Sequence, residues 1–346
     1  MTGTTETIGA AARRSSRAVV LVGSLVVLLV VIVLGIAIGS RELTPMVVVD
    51  ALTGGGDAES RAILLDQRLP RTIVAVIAGA ALAVAGVLMQ GHTRNPLADP
   101  GLLGVTAGSS VVVVLAISLL GVTDPSGYLW FAFGGAAAAS VVVTAVALLA
   151  AGRRDSSPAT LVLAGAAVSA FLSAITGIVL LLDSSTLEVF RFWTVGSLSG
   201  GRDLAALAPA VAAVVVGLVL AIGHAPTLDA LVLGDDVAKA LGRRLWLSRV
   251  IGLGAVTLLV GGAVALAGSL GFIGLVAPHI ARTLVGQSNR WVIPLSGVLG
   301  SVLVVAADVV GRVVVRPAEL PVGVVLAVVG APAFLVIVMR MRRAAR

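Results

Sequence analysis

Apolar residues fall along this chain in long unbroken runs, with neither the alternation of strands nor the one-sided stripe of surface helices. Runs of about 17 to 25 such residues predict membrane-crossing helices, because roughly 20 residues rising 1.5 Å each cover the hydrocarbon core. Ten are expected, at 18–39, 71–90, 100–120, 129–150, 159–182, 204–223, 249–267, 269–285, 291–314 and 322–339. The eighth is the shortest and contains Pro278, which can bend it. Tails at 1–17 and 341–346 leave 18–340 as one ten-span domain, so the expected class is an all-α integral membrane protein.

Composition supports that class. With 58% hydrophobic and 12% charged residues over 346 positions, and a mean hydropathy of +1.12, the polar residues are too few to coat a soluble fold. Aromatics are only 3% while glycine reaches 41 residues, which predicts helices that approach closely through small side chains. There is no cysteine, so disulfides and thiolate metal sites are excluded. His92, His224 and His279 are isolated in sequence, and no metal site is expected of them.

The net charge of +7 does not mark a nucleic-acid partner, because the cations lie between apolar runs. With a cytoplasmic N-terminus, sixteen of the twenty-four lysines and arginines fall on inside segments, which predicts that both termini are cytoplasmic. The first run follows Arg13, Arg14 and Arg17 but is too long for a signal-peptide core, and is read as a retained span. An internal echo also appears. The run at 79–86 (GAALAVAG) matches 261–268 (GGAVALAG), and Pro96 meets Pro278 at the same offset, as in an inverted repeat; converging Gly/Ala packing faces are the alternative.

Chemistry concentrates in the connections. Arg68 and Arg71 flank Pro70 at the outer mouth of the second span, where an exposed pair could dock an acidic partner surface or anchor lipid headgroups. Asp308 and Arg312 stand one helical turn apart and can pair. The elbow at 91–99 holds Pro96 and precedes Pro100, so Asn95 and Asp99 are natural breaks, and Asp99 can cap the third span. The inside segment 226–242 reads as two short helices split at Gly234, the second capped by Asp235, with Lys239 near its end and Gly242 as its stop. The only lysine, Lys239, lies between alanines and cannot serve a phosphate-binding loop, so any ATP hydrolysis belongs to another subunit. The spans also hold almost no ionisable residue near the midplane, which weighs against a proton-coupled carrier.

These segments closely resemble the membrane subunit of FecCD-type ABC importers, over about 43–340: the stretch 68–110, the segment 226–242 and GSLGFIGLVAPHIAR at 268–282. The resemblance implies a ten-transmembrane-helix type II ABC importer permease, non-catalytic, in the cytoplasmic membrane of a bacterium. It implies a second permease subunit, identical or paralogous, two ATPase subunits that bind ATP and Mg, and an extracytoplasmic substrate-binding protein. Arg68, Arg71 and Arg312 would receive that binding protein. Asn95 and Leu97 would form the cytoplasmic gate, with Ser157 and Thr160 carried over weakly because Pro158 departs from the usual pattern. Leu231, Gly234, Asp235, Asp236, Lys239 and Gly242 would form the coupling helix. In the family the aromatic run 190–201 sits beside the translocation pathway. A ferric siderophore is the expected cargo, with haem or cobalamin as alternatives; a secondary transporter or a non-transporting scaffold are the other classes.

Overall fold

The computed structural model describes residues 3–41, 43–123, 125–151, 158–196, 198 and 204–344. Fourteen α-helices account for most of them: α1 Gly3–Ala37, α2 Pro45–Leu52, α3 Ala58–Arg61, α4 Leu69–Thr93, α5 Val105–Leu120, α6 Pro125–Ala151, α7 Pro158–Leu182, α8 Ser184–Thr194, α9 Leu204–Val232, α10 Asp235–Ala240, α11 Leu245–Ala267, α12 Ile273–Val285, α13 Asn289–Val314 and α14 Val322–Ala344. No strand occurs among the described residues.

Among the described residues, eight helical stretches are long and apolar enough to cross a membrane. The runs expected at 100–120 and 269–285 fold as the shorter helices α5 and α12, of 16 and 13 residues. The first loses its start to Pro100, which opens a 3-10 turn through Leu103. Asp99 accepts the N–H of Gly101 at 2.8 Å, so it caps this turn and not the third helix. The stretch between the first two expected spans is also helical: α2 and α3 join through a turn at Gly54 and Gly56, and α3 continues through a π-helical stretch, Ala62–Arg68, into α4.

Burial separates centre from periphery. The most apolar windows of the α3–α4 rod, α11 and α13 are 78%, 72% and 61% buried, whereas those of α1, α7 and α14 are 6%, 11% and 22% buried. Gly/Ala faces make this centre possible: a Cβ on Gly79 would stand 2.4 Å from the Gly300 carbonyl oxygen, and one on Gly300 would stand 2.3 Å from that of Gly79. The backbones of α4 and α13 therefore touch, as small-residue interfaces allow.

The bundle has two poles. At one, the ends of α1 and α13 meet the start of α4; at the other, the ends of α4, α9 and α12 meet the starts of α11 and α13. Accordingly α4 and α11 run antiparallel, and His92 near the end of α4 packs on Gly252 near the start of α11. That is the sense an inverted repeat demands for the matched runs. The prolines differ: Pro96 lies outside helix and Pro278 inside α12.

Candidate functional site

Charge gathers at the first pole. Arg71 donates from Nε and Nη2 to Asp308 Oδ1 at 2.9 and 2.7 Å, and from Nη1 to Glu319 Oε2 at 2.6 Å. Arg312, one turn beyond Asp308 on α13, places Nη2 2.7 Å from Asp308 Oδ2 but off the direction of its N–H bonds, so that contact is ionic. Its Nη1 donates to the carbonyls of Gly35 and Ile38 at 2.9 and 3.0 Å. Arg68 donates to Ile36, Ala37 and Arg41 carbonyls, and Arg316 to that of Gly39. Three guanidiniums thus satisfy the carbonyls that α1 leaves open at its end.

This arrangement corrects the expectation of an exposed arginine pair. Arg68 and Arg312 are 5% and 2% exposed, and Arg71 is nearly as covered because two carboxylates hold it. The pairing of Asp308 with Arg312 is as expected; the addition of Arg71 and Glu319 to it is tertiary. A cavity of about 360 Å³ opens beside the cluster, its lining including Arg41, Glu59, Ile63, Arg68, Arg71 and Glu319.

Burial pushes the Glu319 carboxyl up, but the hydrogen bond and charge of Arg71, with Ser40 and Arg312, outweigh it and hold the group below the usual carboxylate range. A depressed acid contributes stability that is complete above its unfolded value of about 4.5 and is lost as the pH falls through the folded value. Acidification below that range is expected to lower the unfolding midpoint of the detergent-solubilised protein, and less so in Glu319→Gln. Equal acid sensitivity in both proteins would refute this.

The second pole carries the elbow. Arg94 ends α4 in the left-handed region, φ 49°, which turns the chain sharply and sends its side chain across to α9. Its Nε donates to the Leu231 carbonyl at 2.8 Å and its Nη2 to Asp235 Oδ1. Arg249 of α11 lies 3.5 Å from the other oxygen of Asp235. Asn95 Oδ1 accepts the N–H of Leu97 at 2.9 Å, a local turn that leaves both side chains exposed. Gly165 of α7 sits against the Leu102 carbonyl in the 3-10 turn that follows the elbow, and Thr160, in the first turn of α7, is half-buried. Ser157 lies outside the described residues.

The segment 226–242 differs from its expected form. Its first half is no separate helix: α9 runs through Pro226 to Val232. Gly234, at φ 110°, breaks the chain and itself precedes α10, so Asp235 is the first helical residue and not the cap. Gly242, at φ 76°, ends the element as expected. Leu231 and Ala238 are buried, whereas Asp236, Lys239, Val232, Leu233, Val237 and Leu241 are exposed. The result is a short helix on a glycine hinge, with a mixed apolar and charged outer face.

Several polar groups at this pole were not singled out as functional in the sequence. His92 and His224 stack with ring centroids 5.2 Å apart, and Ser248 Oγ lies 3.2 Å from His224 Nε2. Gln90 donates to the Gly274 carbonyl at 3.0 Å and accepts from Arg282, tying α4 to α12. Asp229 accepts two hydrogen bonds from Asn289, holding the start of α13 on α9. Partners 24 to 192 positions apart leave no periodic trace. The aromatic run at 190–201 begins in α8, whose N-cap Asp183 binds the N–H groups of Ser185 and Thr186 and whose Phe190 and Trp193 rings lie 5.4 Å apart.

The family profile described as the FecCD transport family matches residues 27–340. The chain is similar to the ferric enterobactin transport system permease protein FepD of Escherichia coli (strain K12), 42% identical over 95% of this chain and 97% of that one. It is also similar to the hemin transport system permease protein HmuU of Yersinia pestis, 36% identical over 93% and 96%. Among solved structures, an inward-facing metal-chelate type ABC transporter superposes with a TM-score of 0.81 and 27% identity, covering 92% of this chain and 98% of that one.

Proposed function

Because this chain belongs to the FecCD transport family, we propose that it is the permease subunit of an ABC importer that carries a ferric siderophore across the inner membrane of a bacterium. The observation that carries this reading is the hinged helix α10, a projecting element with an outer face of Val237, Leu241, Asp236 and Lys239. Such a face suits the groove of a separate protein better than an anionic lipid surface. The separate protein is an ATPase with its own phosphate-binding loop, one copy for each of two permeases. Gly234 and Gly242 delimit the coupling element and buried Leu231 roots it in α9.

In this reading all ten apolar helices cross the bilayer, α5 and α12 doing so with help from their flanking segments, and both termini are cytoplasmic. The elbow pole then faces the ATPase, and Asn95, Leu97, Ser157 and Thr160 form the inner gate. The opposite pole faces the substrate-binding protein. Docking through Arg68, Arg71 and Arg312 proceeds by exchange, with acidic side chains of the partner competing with Glu319 and Asp308 for Arg71 and Arg312 and with backbone carbonyls for Arg68. The exposed faces of α7 and α14 are covered by lipid and by the second permease subunit.

Uptake of radiolabelled ferric enterobactin, haemin and cobalamin, in cells with and without this gene, tests the cargo. Loss of the siderophore signal alone is expected; loss of the haemin signal alone would transfer the assignment to haem. Asp236→Arg reverses charge on the outer face of α10 and is expected to cut ATP-driven uptake by about tenfold or more, like-charge contacts at an interface costing several kcal/mol. Full uptake at normal expression would remove α10 from the ATPase interface.

A further inference from the structure

Adjacent acids at the start of α10 face different surroundings. Asp236 is exposed, whereas Asp235 is about a quarter exposed and turned inward, its two oxygens taken by Arg94 and Arg249. Arg94 is the residue immediately before Asn95, and its guanidinium also holds the carbonyl of Leu231, the last buried side chain of α9 before the Gly234 hinge. Its backbone sits in the left-handed region, so the direction of the side chain and the course of the elbow are set by the same pair of dihedrals. A single cation therefore grips α10 on one side of the hinge and α9 on the other, and it is covalently joined to the elbow. Arg249 anchors the same carboxylate to the start of α11.

We infer that the Arg94–Asp235–Arg249 bridge is the link through which α10 moves the Asn95–Leu97 elbow, and that Asp235 is a positioning residue inside the permease and not a contact to the ATPase. The inference rests on the importer reading and assigns its transmission step. When α10 tilts about Gly234, Asp235 draws Arg94 with it, and the Asn95–Leu97 turn changes course because Arg94 is covalently joined to Asn95. Asp236, one position on, is left free to meet the partner. The consequence is separable behaviour: loss of Asp235 uncouples the gate while the partner stays bound, and loss of Asp236 releases the partner.

The chain contains no cysteine, so a single introduced thiol reports on the gate. Leu97→Cys, at a position 37% exposed, would be labelled with a maleimide in the complex with its ATPase, with and without ATP and vanadate. Nucleotide is expected to change the labelling rate. Adding Asp235→Asn or Arg94→Gln should shrink that change by about tenfold, a coupling of ordinary size, with the ATPase still co-purifying and still hydrolysing ATP. The two together should be no worse than either alone, since both cut one link. Asp235→Glu, which keeps the charge, should restore most of the response, an effect that a general loss of folding would not show. Loss of the ATPase from Asp235→Asn, an undiminished nucleotide response, or multiplying effects in the double variant would each overturn the inference. A Leu97→Cys protein that recruits no ATPase at all would sink the importer reading and this inference with it.

Discussion

Gly86→Leu is expected to abolish accumulation of the folded protein. Gly86 lies in the second half of α4, and a Cβ there would stand 2.0 Å from the Gly274 carbonyl oxygen and 2.6 Å from its carbon atoms. Both obstacles are backbone, so no rotamer change relieves them. The approach is close from the other side as well: a Cβ on Gly274 would stand 2.8 Å from Pro100 and 3.1 Å from the Leu82 carbonyl of α4. Overpacking a well-filled core commonly costs about 1–3 kcal/mol, and a clash that must push a pair of helices away from each other exceeds that range. Gly177→Ala in α7 is the control, since nothing lies within 4 Å of the added carbon. It should be neutral or stabilising by up to about 1 kcal/mol through helix propensity. Size-exclusion profiles of the detergent-solubilised proteins decide the matter: a monodisperse Gly86→Leu protein at normal yield would show that α4 and α12 are not in backbone contact.

Asp308→Ala has the next largest effect. Asp308 is 1% exposed and lies between the guanidiniums of Arg71 and Arg312. Removing it leaves two largely buried cations with one anion fewer, and breaking a buried pair by deleting one partner typically costs about 3–5 kcal/mol. The penalty comes from the stranded cations more than from the lost attraction. Asp308→Ala with Arg312→Met should therefore be less destabilised than Asp308→Ala alone, although Arg312 also holds the end of α1 through Gly35 and Ile38. Thermal unfolding in detergent measures all three. Additive losses would mean that Asp308 and Arg312 act independently, contrary to their 2.7 Å contact.

Both sites show how far the amino-acid order could be read. The Gly/Ala runs at 79–86 and 261–268 announced close packing, but which glycine meets which backbone depends on helix rotation, and the contacts Gly79–Gly300 and Gly86–Gly274 span more than 180 positions. Asp308 and Arg312 are one turn apart on one helix, so their pairing was legible; Arg71, 237 positions away, was not. Its partners instead made the expected exposed docking pair a covered one. The segment 226–242 shows the same division. The break at Gly234 and the stop at Gly242 were legible because a positive φ is a local demand that glycine meets, whereas the short first helix expected before Gly234 is instead the end of α9. The expected cap at Asp235 failed because Gly234 occupies the cap position and makes Asp235 the first helical residue, whose carboxylate a distant cation, Arg94, then holds.

Taken alone, the sequence determined the all-helical class, the positions of the apolar helices to within a few residues in most cases, and the hinge glycines. These follow from hydrophobic run length and backbone sterics, which act within a few residues of where they are written. Tertiary structure alone decided which helices form the centre, which arginines are covered, and which of two neighbouring aspartates turns inward. Those outcomes depend on desolvation and on charge partners brought together from distant regions of the chain, and a buried charge takes whichever partner packing places beside it.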